Sequence, residues 1–198
     1  MKIKQIDFLV QKGDFSQSDE FQATLSQIKK AVISVVWPPG SDLFTLYLGK
    51  KANGVVPIKK EFMRVLVQQD WMLEHRMSIA SRIRPGPIDA VKRLLNEQFF
   101  AVEWETGNIS SSHRAINKMA VGLLDGVLAG GILILPSREM YQYLTDRIGN
   151  YAEIEPYFPV WRNLSINNGV LAVIEVEHDA TSLDIPPIKK GTDGRALR

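Results

Sequence analysis

The sequence predicts an α/β protein in which a mixed central β-sheet is flanked by helices. Three observations predict it. Ile132-Leu133-Ile134-Leu135-Pro136 is apolar on both faces, as strands covered by helices on either side are. Residues 99–135 read as strand, helix, strand, a βαβ unit whose crossover is right-handed. Gly169 to Val176 is a further buried strand.

The remaining elements follow in order. Residues 2–10 alternate loosely and form a first strand. Ser18 or Asp19 caps a helix running to Val36, with Phe21, Leu25, Ile28 and Val32 at helical spacing. Trp37-Pro38-Pro39-Gly40 stops that helix. Leu43 to Leu48 is a short strand, and Lys50-Lys51-Ala52-Asn53-Gly54 is a turn. Pro57, a favoured first helical residue, opens an amphipathic helix to Trp71 on Ile58, Phe62, Val65 and Leu66. Arg76 to Arg84 is extended and leads into the Pro85-Gly86-Pro87 break. After the turn Thr106-Gly107-Asn108, Ser110 or Ser111 caps a helix with a buried stripe of Ile116, Met119, Ala120, Leu123 and Leu124. Gly130-Gly131 then releases the chain into the apolar strand. A helix over Arg138–Ile148 turns Tyr141 and Leu144 inward. From Asp184 to Arg198 there is no periodicity, so that tail is mobile unless a partner orders it. The 198 residues suit one domain spanning 1–198.

Composition excludes several chemistries. There is no cysteine, hence no disulfide, thiolate metal site or cysteine nucleophile. His75, His113 and His178 lack zinc-ligand spacing. Met1 to Asp7 does not read as a secretory signal, and no window of about 18 apolar residues predicts a membrane span. The expected location is cytoplasmic. Charge is unevenly spread: residues 76–93 carry Arg76, Arg82, Arg84, Lys92 and Arg93 against Asp89 alone, a net +4. Residues 139–185 carry eight acids against Arg147 and Arg162, a net −6. A polyanion docks where the basic excess lies.

That basic stretch surrounds the candidate chemistry. In the strand Phe99-Phe100-Ala101-Val102-Glu103-Trp104-Glu105, Phe100, Val102 and Trp104 share one apolar face. Glu103 and Glu105 end the other face side by side, and Asp89 precedes them in Gly86-Pro87-Ile88-Asp89. Three acids beside a dense apolar run repel unless a cation lies between them. Oxygen ligands of this kind suit Mg²⁺, a hard ion recruited to phosphate chemistry. The competing reading is an Asp turn followed by a solvated Glu-x-Glu strand.

With Asp89, Glu103 and Glu105 on a mixed α/β core, the chain resembles the PD-(D/E)xK nuclease superfamily. Within it, the chain is similar to the BamHI/BglII/BstYI group of type II restriction endonucleases. The resemblance covers residues 50–175. It rests on the Asn53-Gly54 turn before a helix ending near Asp70-Trp71, on Ala101-Val102-Glu103-Trp104-Glu105, and on Ile132-Leu133-Ile134-Leu135-Pro136 leading to Glu139-Met140. It implies that Asp89 and Glu103 bind one or two Mg²⁺ ions with the backbone carbonyl of Trp104. It also implies that Glu105, at the position of the superfamily's lysine, completes the catalytic set. A carboxylate there accepts a proton from water or holds a second metal. The gap of 14 residues between Asp89 and Glu103 calls for a longer bend between the two acids.

Several residues are candidate contacts to double-stranded DNA. Asn108 lies in the turn that the group uses to reach base edges, where an amide can pair with adenine. Ser111, Ser112 and Arg114 sit at a helix start, which binds phosphate. Ser137 and Arg138 follow a buried strand at its carboxyl edge. Lys50, Lys51 and Asn53 form a basic turn able to track phosphates. Each of these also reads as a cap or an exposed turn. The resemblance implies a homodimer, since a palindromic duplex has two-fold symmetry. It implies Mg²⁺-dependent cleavage of both strands of a short palindrome with GATC at its centre. Alternatives are a structure-selective or repair nuclease on the same core and a catalytically silent DNA-binding module.

Overall fold

A computed structural model of the chain describes residues 1–80, 86–145 and 148–190. Its centre is a six-stranded mixed sheet in the order β1-β7-β6-β5-β4-β3. These are β1 (Lys2–Lys12), β3 (Met72–Arg76), β4 (Pro87–Arg93), β5 (Phe99–Trp104), β6 (Leu128–Pro136) and β7 (Gly169–Glu177). Strands β5, β6 and β7 run parallel, and the outer pairings β1–β7, β5–β4 and β4–β3 are antiparallel. The two central strands β6 and β7 are buried along their whole length, which is why they read as unbroken apolar runs. A parallel pair, β2 (Thr45–Tyr47) and β8 (Ala180–Ser182), forms a separate small sheet.

Helices cover both faces. Helix α1 (Asp19–Ile33) is capped by Ser18, whose Oγ accepts from Phe21 N at 3.1 Å. With α2 (Val56–Val67), it packs Phe21, Ile28, Phe62 and Leu66 against Phe100, Val102 and Trp104. Helix α3 (Ile109–Leu124) and α6 (Phe158–Arg162) cover the other face with Ile116, Met119, Phe158 and Trp161, against Ala101. The alternation expected for β5 therefore holds: its odd and even positions lie in different cores. Short helices α4 (Arg138–Tyr141) and α5 (Tyr151–Ile154) complete the set. Among the described residues, no helix is long and apolar enough to cross a membrane.

Several expected elements are corrected. Helix α2 ends at Val67 rather than Trp71, because Asp70 takes a left-handed backbone (φ 64°) that turns the chain into β3. Residues 72–76 and 87–93 are strands, so Asp89 sits on a strand and not in a turn. Helix α4 stops at Tyr141, since Asn53 takes the backbone groups a longer helix would use: Asn53 N donates to Tyr143 O and Thr145 N to Asn53 O. Residues 146 and 147 of the expected longer helix lie outside the described residues. Gly130 and Gly131 are within β6, not before it. A Cβ on Gly130 would stand 2.2 Å from the Phe100 ring, and one on Gly131 would stand 2.7 Å from Met119 Sδ. The segment 184–190 is anchored: Trp37 Nε1 donates to Pro186 O, Gly54 N donates to Ile188 O at 2.8 Å, and Ile188 is buried. The rest of the expected mobile tail, residues 191–198, lies outside the described residues.

Candidate active site

Asp89 and Glu103 meet because β4 and β5 form an antiparallel hairpin. Its register pairs Ala90 with Val102 and Arg93 with Phe99, and a turn over Leu94–Gln98 closes it. One step further along, Asp89 N donates to Glu103 Oε2 at 3.3 Å and Trp104 N donates to Asp89 Oδ2 at 2.9 Å. The hairpin thus accounts for the 14-residue gap between the two acids. From the neighbouring helix α2, Lys59 Nζ reaches Asp89 Oδ1 at 2.6 Å.

Electrostatics at this pair are costly. Burial pushes the Glu103 carboxyl up to about 8, and the adjacent Asp89 charge adds to the shift. The Asp89 N–H and the charges of Lys118 and Lys59 oppose it without overcoming it. Glu105 follows the strand end, and burial raises its carboxyl too, although the Gly107 N–H donates to its Oε1 at 2.6 Å. That bond holds Glu105 back toward the α3 turn. A Cβ at Gly107 would crowd both Glu105 Oε1 (2.8 Å) and Ser111 Oγ (3.0 Å), so a larger residue here displaces those two side chains. Among the described residues, no group of three or more His, Asp or Glu side chains is gathered so as to hold a metal ion. The two-carboxylate pair Asp89 and Glu103, a repelling set of hard oxygens beside the Trp104 backbone, fits the way Mg²⁺ is commonly held by one or two carboxylates and waters.

A cleft of about 830 Å³ opens over this pair, lined by the carboxylates of Asp89, Glu103 and Glu105 and the cations of Lys59, Arg114 and Lys118. Lys59 and Lys118 were invisible in the sequence, where each is one helix lysine among many. Lys118 Nζ donates to Gly86 O at 2.5 Å and Pro87 O at 3.2 Å, and burial lowers its ammonium below the usual lysine range. The expected basic field of residues 76–93 is only partly present here. Lys92 donates to Gln27 Oε1 and Arg93 pairs with Glu97, while Arg82 and Arg84 lie outside the described residues.

The candidate DNA contacts divide. Ser111 and Arg114 line the cleft. Arg138 and Lys51 bracket the Tyr141 ring, with Arg138 exposed at 4.9 Å and Lys51 Nζ at 5.9 Å, and Lys50 is exposed beside them in sequence. Asn108 is exposed, and it caps α3 in place of Ser110 or Ser111: its Oδ1 accepts from Ser111 N at 3.2 Å. Its carboxamide oxygen is thus committed to the helix. Three expectations are corrected by burial. Ser112 is fully buried, with a Cβ at Gly149 coming within 2.6 Å of its Oγ. Ser137 is fully buried; it caps α4 through Met140 N and donates to Glu177. Asn53 is fully buried, donating to Tyr47 O (2.9 Å) and Tyr143 O (3.0 Å) and accepting from Ile188 N (3.2 Å).

Asn53 therefore has a structural purpose, and Asn53→Ala is expected to lower stability by about 1–3 kcal/mol, because Tyr47 O and the buried Ile188 N lose its carboxamide, while Tyr143 O keeps the Asn53 backbone N–H. Thermal unfolding measures this. A loss of DNA affinity without a loss of melting temperature would return Asn53 to the DNA surface.

The family model described as restriction endonuclease BamHI matches residues 1–195. The chain belongs to the BamHI restriction endonuclease family. It is 51% identical over 198 residues to the type II restriction enzyme OkrAI of Oceanobacter kriegii, spanning 100% of both chains. It is 33% identical over 190 residues to the type II restriction enzyme BamHI of Bacillus amyloliquefaciens, covering 92% of this chain and 87% of that one. In fold it is similar to the restriction endonuclease BglII crystallised with a DNA 16-mer, at a TM-score of 0.67 and 12% identity, over 90% of this chain and 79% of the other. Membership of the BamHI family makes this chain a type II restriction endonuclease, a site-specific deoxyribonuclease.

Proposed function

We propose that the chain cuts both strands of a short palindromic DNA site, with GATC at its centre, and that it does so as a Mg²⁺-dependent homodimer. The observation that carries the chemistry is the Asp89–Glu103 pair beside the Trp104 backbone, set in a cleft that mixes three carboxylates with three cations. Asp89, Glu103 and the Trp104 carbonyl hold the metal. A bound divalent ion supplies Lewis acidity, lowering the pKa of water and neutralising phosphate charge. Glu105 serves as the base: its burial-raised carboxylate is suited to take the proton as water oxygen attacks phosphorus and the P–O bond to the leaving oxygen breaks. The hydrogen bond from Gly107 fixes its orientation within the cleft that Asp89 and Glu103 also line, so it is placed to act as a base or to meet a second metal.

Arg114 and Lys118 supply positive charge for the DNA backbone from the cleft, and Arg138 and Lys51 beside Tyr141 are further cations able to meet phosphates. Asn108, projecting from the α3 turn, reaches a base edge through its amide nitrogen. Asn108→Ala is expected to weaken site discrimination by about 1–3 kcal/mol, the worth of one base contact. Comparing cleavage rates on cognate and singly altered sites measures this; equal rates for wild type and variant at every altered site would confine Asn108 to capping.

The reading as a whole is tested by incubating the protein with unmethylated DNA and Mg²⁺ and sequencing the ends. Discrete ends at one palindrome support it. Random nicking, or cutting only at branched or mismatched substrates, supports a structure-selective nuclease instead.

A further inference from the structure

Both carboxylate oxygens of Asp89 are already engaged. Oδ2 accepts from the Trp104 N–H at 2.9 Å, and Oδ1 is paired with Lys59 Nζ at 2.6 Å. The pair is well sheltered, with side-chain exposures of 28% for Lys59 and 12% for Asp89. The Trp104 bond belongs to the hairpin and is fixed by strand register. The Lys59 bond is made by a long flexible side chain arriving from α2, a separate element that reaches the cleft lining through Lys59. Any cation that binds Asp89 in this cleft meets an ammonium group already in place, and two positive charges cannot share one carboxylate oxygen cheaply.

We propose that Lys59 is a resident counter-ion for the metal position: it neutralises Asp89 in the DNA-free protein and yields that oxygen when a divalent ion enters. This rests on the reading of Asp89 and Glu103 as metal ligands. The exchange leaves an ammonium group in the cleft without its carboxylate, and a DNA phosphate is the anion that compensates it. Lys59 thereby couples metal loading to the presence of DNA. It weakens metal binding when the cleft is empty and ceases to oppose it once a phosphodiester is seated. Its part is to position and to gate, not to react.

The test is the Mn²⁺ affinity of the full chain, measured by isothermal titration calorimetry. The variants are Lys59→Met, which keeps the stem without the charge, Lys59→Gln, which keeps a donor for Asp89, and Lys59→Arg, which keeps the charge. Without DNA, Lys59→Met and Lys59→Gln are expected to bind Mn²⁺ about tenfold or more tightly than wild type. Lys59→Arg is expected to stay near wild type. With a DNA duplex containing the cognate site made non-cleavable at the scissile phosphate, the advantage of the uncharged variants is expected to disappear or reverse. A merely structural lysine would move melting temperature but would not tighten a metal site on removal.

Equal or weaker Mn²⁺ binding by a folded Lys59→Gln without DNA overturns the proposal while leaving the metal reading intact. If wild type binds no Mn²⁺ with or without DNA, and none of the three variants does, the metal reading fails as well. Circular dichroism establishes which variants are folded. Should Lys59→Met unfold, Lys59→Gln decides the outcome; should both unfold, Lys59 is a structural ion pair and the proposal is overturned.

Discussion

Glu103→Ala is expected to abolish DNA cleavage, by about a thousandfold or more, in a protein that remains folded. A metal-activated step is worth several kcal/mol, and each factor of ten takes about 1.4 kcal/mol, so loss of a principal ligand reaches that size. The fold survives because the Glu103 carboxylate contributes repulsion, not packing: its acid group is raised to about 8 by burial and by Asp89. An acid whose folded pKa lies above its ordinary 4.5 costs stability once it must ionise. That cost is absent below pH 4.5, grows as pH rises toward 8, and is complete above it. Glu103→Gln is therefore expected to melt at a higher temperature than wild type in metal-free buffer at neutral and alkaline pH, with the two converging in acid. Cleavage assays and melting curves across pH check both halves. Wild-type cleavage by Glu103→Ala places the reaction elsewhere in the molecule; a lower melting temperature at pH 8 makes Glu103 a structural residue.

The second large effect concerns Phe100. Its ring is fully buried, lies 6.2 Å from both Phe15 and Phe21 and 6.4 Å from Trp71, and fills the space that Gly130 leaves open. Phe100→Ala is expected to cost about 3–5 kcal/mol through lost burial and a cavity that rigid strands cannot close. For a chain of this size that is about 10 °C in melting temperature. Gly130→Val alone is expected to destabilise as well, because its side chain collides with the same ring. The double variant Phe100→Ala/Gly130→Val is expected to recover part of the loss, since valine enters the vacated space. Simple additivity of the two losses would show that the ring and the glycine are not packing partners.

Much of this arrangement was legible in the chain itself. The period-two split of Phe100, Val102 and Trp104 from Ala101 and Glu103 is a local property of an extended backbone, and it predicted that the first three enter one core while Ala101 enters the other and Glu103 faces the cleft. The double-faced apolar runs of β6 and β7 were equally plain. Strand β4 was hidden because Pro87, Asp89, Lys92 and Arg93 dilute its apolar residues, and its identity depends on pairing with β5. Asn108 and the serines after it are all good caps, and only backbone geometry selects among them. Lys59 and Lys118 enter the cleft from two different helices, an encounter that no local pattern records. Asn53, Ser112 and Ser137 carried the opposite error: polar residues in turns and helix starts look exposed until the chain closes over them.

The first strand finds its partner only at the far end of the molecule: Lys2 stands opposite Glu177 and Lys12 opposite Gly169. Such distant pairing delays folding, because the chain between must be made and ordered before the contact repays its loop closure. A nascent polypeptide halted before Gly169 has its β4–β5 hairpin but no β7, so β1 is left without a partner and β6 without one of its two neighbours. The sheet that carries Asp89 and Glu103 is therefore complete only in molecules that the ribosome has carried through the last long strand.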